Sequence, residues 1–460
     1  MSNKSAVKEP LVKVSKNMDI STTKKIMLNV LAVVVAIGLS CIFLAALGYN
    51  PVSFFSYVIK GTFSNTTYLR LLIYNFIPLV IVSLGLTLAF RMKFWNIGAE
   101  GQFLMGAALS MTTALLIGDL FTGTLGIVAV LIMGAIGGGL FAVIPALFKI
   151  KFGTNETLFT LMLNYVAYYI IEYFLDVEFF SISGSFPTYK TVASGLRLTT
   201  IQLGSVTLDT SIIIAIVIFL FVALYMKYTK HGYEVNVVGD SPNTARYAGM
   251  KVKWITIRTI FISGAIIGLA AALKITGSSA GYTISTSMTG DVGWTGIIVS
   301  WLAKLNPIAV VFVAFMLSVL ERGSEVARTY MGISSSISDV VQGIILFSVL
   351  AFDFFINYKV SFRKKTKIVA ISDDVEDAED AEENIVAAVE SNDIATEEIV
   401  CEKEEVVVKA EPVAMPNPTY TLSEVKTVSA HSDRIANDDA LKAYCDKYKF
   451  KTYKKSGGAK

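Results

Sequence analysis

At 460 residues, with 53% hydrophobic and only 17% charged side chains and a mean hydropathy of +0.59, the chain departs from soluble composition and reads as a polytopic membrane protein. The formal charge of +3 conceals +13 over residues 1–369 and −10 over residues 370–460, so the basic part suits a membrane surface and implies no nucleic-acid partner. Three cysteines and two histidines exclude a disulfide framework and a histidine-built zinc site.

The first 25 residues carry Lys4, Lys8, Lys13, Lys16, Lys24 and Lys25, and the positive-inside rule keeps them cytoplasmic. The apolar run 26–48 is too long for a signal-peptide core and predicts a retained first helix. An interfacial element with Asn50 and Pro51 leads to a second span over 69–90, closed by Arg91 and Lys93. The stretch 92–108 then breaks the pattern: Trp95, Asn96, Glu100, Gln102 and three glycines stand where a plain membrane helix carries leucine and valine. Polarity near lipid is expensive and marks a site with a task. The glycines permit a broken or tightly packed helix, and the amides and Glu100 suit backbone groups freed by a break. The plainer reading is that Trp95 and Asn96 anchor a helix end at the headgroups.

A third span ends near Gly118. The fourth, 123–150, holds Gly134, Gly137, Gly138 and Gly139 and predicts close helix packing. Residues 155–167 open a fifth span. An outer loop over 181–210, a span over 211–226, an inner loop over 227–254 and spans over 254–275, 293–303, 307–320 and 340–356 complete the membrane region. The expected fold is therefore all-α, with about ten transmembrane helices over 26–360 and both termini cytoplasmic. From residue 361 the composition turns polar, with acidic runs at 373–383 and 397–405 and a basic, tyrosine-containing end at 441–460. A disordered, solvated tail is expected there.

Within the inner loop, 233–250 has the form of a turn followed by a short helix. Asp240 or Ser241 can cap it, Pro242 fits its first position and Gly249 can end it. Such a helix is too short to span and is a good lever for a cytoplasmic partner. No Gly-x-x-x-x-Gly-Lys-Ser/Thr phosphate loop occurs, and no nucleophile has a histidine partner, so neither a motor nor a hydrolase is indicated. Glu100, Glu172, Asp176, Asp291, Glu321 and Asp353 lie in or beside apolar spans and keep open a rival reading, an ion-coupled secondary transporter, although most fall near helix ends where water reaches them. Asn96, Glu100, Gln102, Asn164, Tyr165 and Trp294 have the chemistry to meet a sugar or a base in a pathway, and each is equally suited to packing or capping. A faint echo between Trp95-Asn96-Ile97-Gly98 and Trp294-Thr295-Gly296-Ile297 would mean two inverted five-helix halves; chance similarity explains it as well.

The run Phe94-Trp95-Asn96-Ile97-Gly98-Ala99-Glu100-Gly101-Gln102 closely resembles the signature of permease subunits of ABC importers for nucleosides and simple sugars, relatives of the branched-chain amino acid permeases. Residues 155–167 and 233–250 resemble the same family, and together the three stretches cover roughly residues 25–360. The resemblance implies an ATP-driven importer of nucleosides or related sugars in the cell membrane, with this chain forming half of the pathway. It also implies that Asp240, Pro242, Ala245, Arg246, Tyr247 and Gly249 form the coupling helix that docks into a separate ATP-binding subunit. That subunit would hold ATP and magnesium, leaving no cofactor in this chain. A second related permease subunit and an extracellular substrate-binding protein or lipoprotein complete the implied assembly.

Overall fold

The computed structural model describes residues 12–16, 22–118, 121, 123–182, 188–278, 281–362, 399–401 and 406–408. Residues 1–362 and 363–460 form separate units. The first is almost entirely helical, as an apolar chain must be when water cannot satisfy its backbone.

The chain opens with strand β1 (Val12–Lys16) and helix α1 (Thr22–Ala46). Asn50 caps α2 (Pro51–Ser56), which continues through a π-helical turn, Tyr57–Gly61, and the single turn α3 (Thr62–Ser64). The bundle proper follows: α4 (Thr66–Arg91), α5 (Ala99–Ile117), α6 (Thr124–Phe152) and α7 (Glu156–Asp176). The expected outer loop contains two small hairpins, β2 (Ser181–Ile182) with β3 (Thr188–Tyr189) and β4 (Thr200–Leu203) with β5 (Val206–Asp209). Then come α8 (Ser211–Tyr228), α9 (Lys230–Asp240), α10 (Pro242–Tyr247), α11 (Val252–Thr276), α12 (Val292–Leu302), α13 (Pro307–Met331), α14 (Ser335–Asn357) and β6 (Tyr358–Phe362). In the second unit only the short antiparallel pair β7 (Ile399–Cys401) and β8 (Val406–Val408) is described. The expected disorder at 373–383 and 441–460 falls outside the described residues.

Among the described residues, eight helices are long and apolar enough to cross a bilayer: α4, α5, α6, α7, α8, α11, α13 and α14. A shorter apolar stretch, Leu31–Ala46, lies in α1. The expected count of ten is not reached among the described residues, and the span expected over 293–303 is α12, whose 11 residues rise only about 16 Å, half of a hydrocarbon core. The two inverted halves are not borne out by the echo either: Trp95–Gly98 is non-helical chain ahead of α5, whereas its counterpart at 294–297 lies inside α12.

Burial separates centre from rim. The apolar stretch of α4 is 78% buried and that of α7 only 17%. The centre is tight because glycines face glycines, as the run in the fourth span predicts. In α6 and α11 the pairs Gly134/Gly138 and Gly264/Gly268 oppose one another, and a Cβ at Gly268 would stand 2.9 Å from the Gly138 Cα. Helices without lateral Cβ atoms there gain contact that lipid tails cannot supply. At one end, β1 pairs antiparallel with β6, from Val12 opposite Phe362 to Lys16 opposite Tyr358, so the segment before α1 is clasped to the segment after α14.

Candidate functional site

After α4 the chain turns through Lys93, which is left-handed at φ 55°, and runs non-helical and largely buried to Gly98. Here the polar signature residues find one another. Asn96 and Gln102 exchange amide hydrogen bonds, Asn96 Nδ2 to Gln102 Oε1 at 3.1 Å and Gln102 Nε2 to Asn96 Oδ1 at 2.8 Å. Asn96 Oδ1 also accepts from the Gly98 amide at 3.1 Å. Asn164 on α7 bridges the gap, accepting from the Gly101 amide at 2.8 Å and donating to the Ile97 carbonyl at 2.9 Å, while Thr160 Oγ1 accepts from the Ile97 amide at 3.1 Å. These bonds use donors that α5 leaves free at its first turn, since Gly98 offers no side-chain cap. Gly101 is tightly packed: a Cβ there would meet Asn164 Oδ1 at 3.0 Å and the Leu163 carbonyl at 3.1 Å.

Glu100 is also internal. It is 7% exposed, and its carboxylate accepts from the Gly293 amide in the first turn of α12 at 2.9 Å. Lys274 lies within electrostatic reach of Glu100 and Glu321 and donates to the Thr289 carbonyl at 3.5 Å. At the far end of the bundle, Asp209 accepts from the Ser278 amide at 2.8 Å and from Tyr74 Oη at 3.2 Å, closing the hairpin onto α4 and α11. Beside it a small cleft is lined by Tyr74, Pro78, Asp209, Ser211 and Lys274.

Of the six residues suited to a pathway, Asn96, Glu100, Gln102 and Asn164 are thus brought together, buried and bonded. Tyr165 and Trp294 are 58% and 41% exposed, on the outer face of α7 and on α12. Tyr168, Tyr169 and Tyr173 extend the exposed face of α7.

The short helix within 227–254 has the expected caps. Ser241 Oγ accepts from the Thr244 amide at 3.2 Å, Pro242 opens α10, and Gly249 follows it at φ 76°. Ala245 is fully buried, Tyr247 is 93% exposed and Arg246 donates to Asn243 at 3.0 Å. The expected turn over 233–239 is instead α9, an 11-residue helix. Its Gly239 lies so close to the Arg91 backbone that a Cβ would overlap it. Asp240 receives Lys93 Nζ on its carbonyl at 3.5 Å. Arg91 donates to the Leu305 carbonyl at 3.0 and 3.1 Å and to Asn236 at 3.5 Å, so α9, the signature and the end of α12 meet at one end of the bundle. A brace fixes α9 to α11: Glu234 accepts from Arg258 at 2.8 Å, and His231 contacts both. Burial opposes ionisation of Glu234, but its bonds from Arg258 and His231 outweigh that and hold the carboxyl below its ordinary value.

Residues 68–350 match the family described as branched-chain amino acid transport system / permease component. The chain belongs to that family. This permease is 28% identical over 332 residues to the nucleoside ABC transporter permease protein NupB of Lactococcus lactis, covering 71% of the chain and 90% of the relative. It is 28% identical over 328 residues to the guanosine ABC transporter permease protein NupP of Bacillus subtilis, covering 70% and 92%. The glucose ABC transporter permease protein TsgB13 of Haloferax volcanii matches at 24% over 342 residues, covering 72% and 88%. The permease is therefore a multi-pass membrane transport component, and the resemblance carried by 94–102 holds. Sequence reasoning gave Asp291 no place among the pathway residues. The signal available was its position beside an apolar run of only 11 residues.

Proposed function

We propose that the chain is the membrane-spanning subunit of an ATP-driven importer of nucleosides or related sugars, forming half of the translocation pathway. The observation that carries this reading is the match to nucleoside and guanosine permeases over nine-tenths of their length. The local geometry supports it, because α10 presents Arg246 and Tyr247 outward while α9 is bolted to the signature and to α12 through Arg91, Lys93 and Gly239. A push on α10 from an ATP-binding subunit, which holds ATP and magnesium, is thereby delivered to the segment that enters the membrane. In this reading the α10 end is cytoplasmic, an external binding protein delivers solute to the opposite face, and a second related permease completes the pathway. An ion-coupled carrier is the weaker reading, since Glu100 already accepts a backbone amide.

The test is to purify the tagged chain in mild detergent, identify its companions and assay ATP hydrolysis with a nucleoside-loaded binding protein. Recovery of an ATP-binding subunit whose hydrolysis rises with nucleoside is expected. A chain that comes alone and moves solute under an ion gradient would overturn the reading. Arg246→Glu and Gly249→Pro should leave the protein in the membrane and uncouple uptake from hydrolysis; normal uptake by both would remove the case for α10.

A further inference from the structure

The segment between α11 and α13 carries polar side chains into the bundle without giving all of them an internal partner. Its depth follows from two independent measures. Leu305, just past α12, receives Arg91 from the end of α4, so the start of α12 lies about 16 Å from that end. Asn164, eight residues after the first residue of α7, holds Gly101, and the adjacent Glu100 holds Gly293, which gives about 12 Å from the same end. Both values place the tip of α12 well inside a hydrocarbon core of about 30 Å.

At this tip Asp291 is exposed and makes no capping bond to α12. Among the described residues its carboxylate has neither a hydrogen-bond nor an ion-pair partner, and Lys274 donates to the Thr289 carbonyl instead. An unpaired carboxylate at that depth faces water or a polar solute, because acyl chains exclude it. Trp294 follows three residues later on the same free face, and Trp301, two further turns along, stacks on Trp95 at 5.1 Å. The opposite face, with Val292, Gly293, Gly296, Val299 and Ser300, is buried. The free face of α12 therefore runs carboxylate, indole and paired indoles from mid-membrane towards the α10 end.

We infer that Asp291 and Trp294 form a solute subsite in the pathway, with the carboxylate accepting from the vicinal hydroxyls of a ribose-like ring and the indole covering the flat face of the sugar or base. The assignment rests on the importer reading. A carboxylate is acceptor-only with two oxygens, and so matches two adjacent hydroxyl donors. An aromatic face is tolerant of which base it covers. The same negative charge would turn away phosphorylated solutes.

The experiment reconstitutes the complete transporter with its binding protein in liposomes and compares ATP-dependent uptake of adenosine, 2′-deoxyadenosine and 2′,3′-dideoxyadenosine by wild type, Asp291→Asn and Trp294→Ala. Taking the ratio of variant to wild type for each solute cancels the binding protein's own selectivity. Asp291→Asn should lower adenosine uptake about tenfold, the deoxynucleoside less and the dideoxynucleoside less than about twofold. Trp294→Ala should lower all three alike, and Trp294→Phe should restore them. Equal losses across the three solutes for Asp291→Asn, or none, would overturn the subsite while leaving the importer standing. Absence of ATP-dependent uptake of adenosine, guanosine, uridine and ribose alike by the wild-type transporter would overturn the importer reading itself.

Discussion

Two groups of polar side chains enter the membrane region at similar depth and meet opposite fates. In the signature, Asn96, Gln102 and Asn164 spend their amides on one another and on backbone donors and acceptors from α5 and its approach. At α12, only a few ångströms away through the Glu100–Gly293 bond, Asp291 is exposed and has no partner among the described residues, and Trp294 is open. Residue type alone does not separate the two groups, since both are polar residues beside lipid-length helices. Accounting for partners does: a satisfied group holds the bundle in shape, and an unsatisfied one is available to something that passes.

The sharpest way to break this contrast is Gly101→Val, which puts a branched side chain where 3.0 Å separates a Cβ from Asn164 Oδ1. No stably folded permease is expected, read as loss of the monodisperse peak in detergent. Asn164→Ala keeps the space but leaves the Gly101 amide and Ile97 carbonyl without partners, at a cost of about 2 kcal/mol. A lowered thermal midpoint should report it, with uptake falling in proportion to folded protein. Tyr165→Ala should do the reverse of Asn164→Ala, although the two residues are neighbours: midpoint unchanged and uptake per folded molecule reduced several-fold, by about 1 kcal/mol of lost contact. A midpoint shift as large as that of Asn164→Ala would erase the distinction between held and open faces.

The smallest effect concerns pH at the α9 brace. Because the folded Glu234 carboxyl is held below its ordinary value of 4.5, its ion pair contributes stability above that value and loses it as pH falls through the folded one. Acid should therefore loosen α9 in the wild type, seen as lower amide protection across 230–240, with the intrinsic pH dependence of exchange divided out, below about pH 4.5 than above it. Glu234→Gln should show the lowered protection at every pH.

The helices of the bundle were legible because twenty apolar residues in water-free surroundings have few alternatives. The cap chemistry of α10 was legible for a related reason: Ser241, Pro242 and Gly249 each act on the nearest turn of the helix. What stayed hidden depended on distant partners. Asn96 and Gln102 suited a solute and packing alike until Thr160 and Asn164, some sixty residues on, fixed Ile97 and Gly101 so that the two amides meet each other. Residues 233–239 read as a turn because Gly232, Asn236 and Gly239 are poor helix formers, and tertiary packing overrode that when both glycines fitted against backbone, Tyr225–Met226 and Arg91 respectively. An apolar run of 11 residues looked like a span because hydropathy does not reveal a helix that stops halfway.

The β1–β6 clasp bears on how the molecule is made. Its strands are separated by the entire membrane domain, so β1 waits unpaired until residues 358–362 have been synthesised. Every helix must be inserted before the ring can shut. A nascent chain arrested anywhere earlier displays an open strand edge, a mark by which a protease or chaperone could tell an unfinished permease from a finished one.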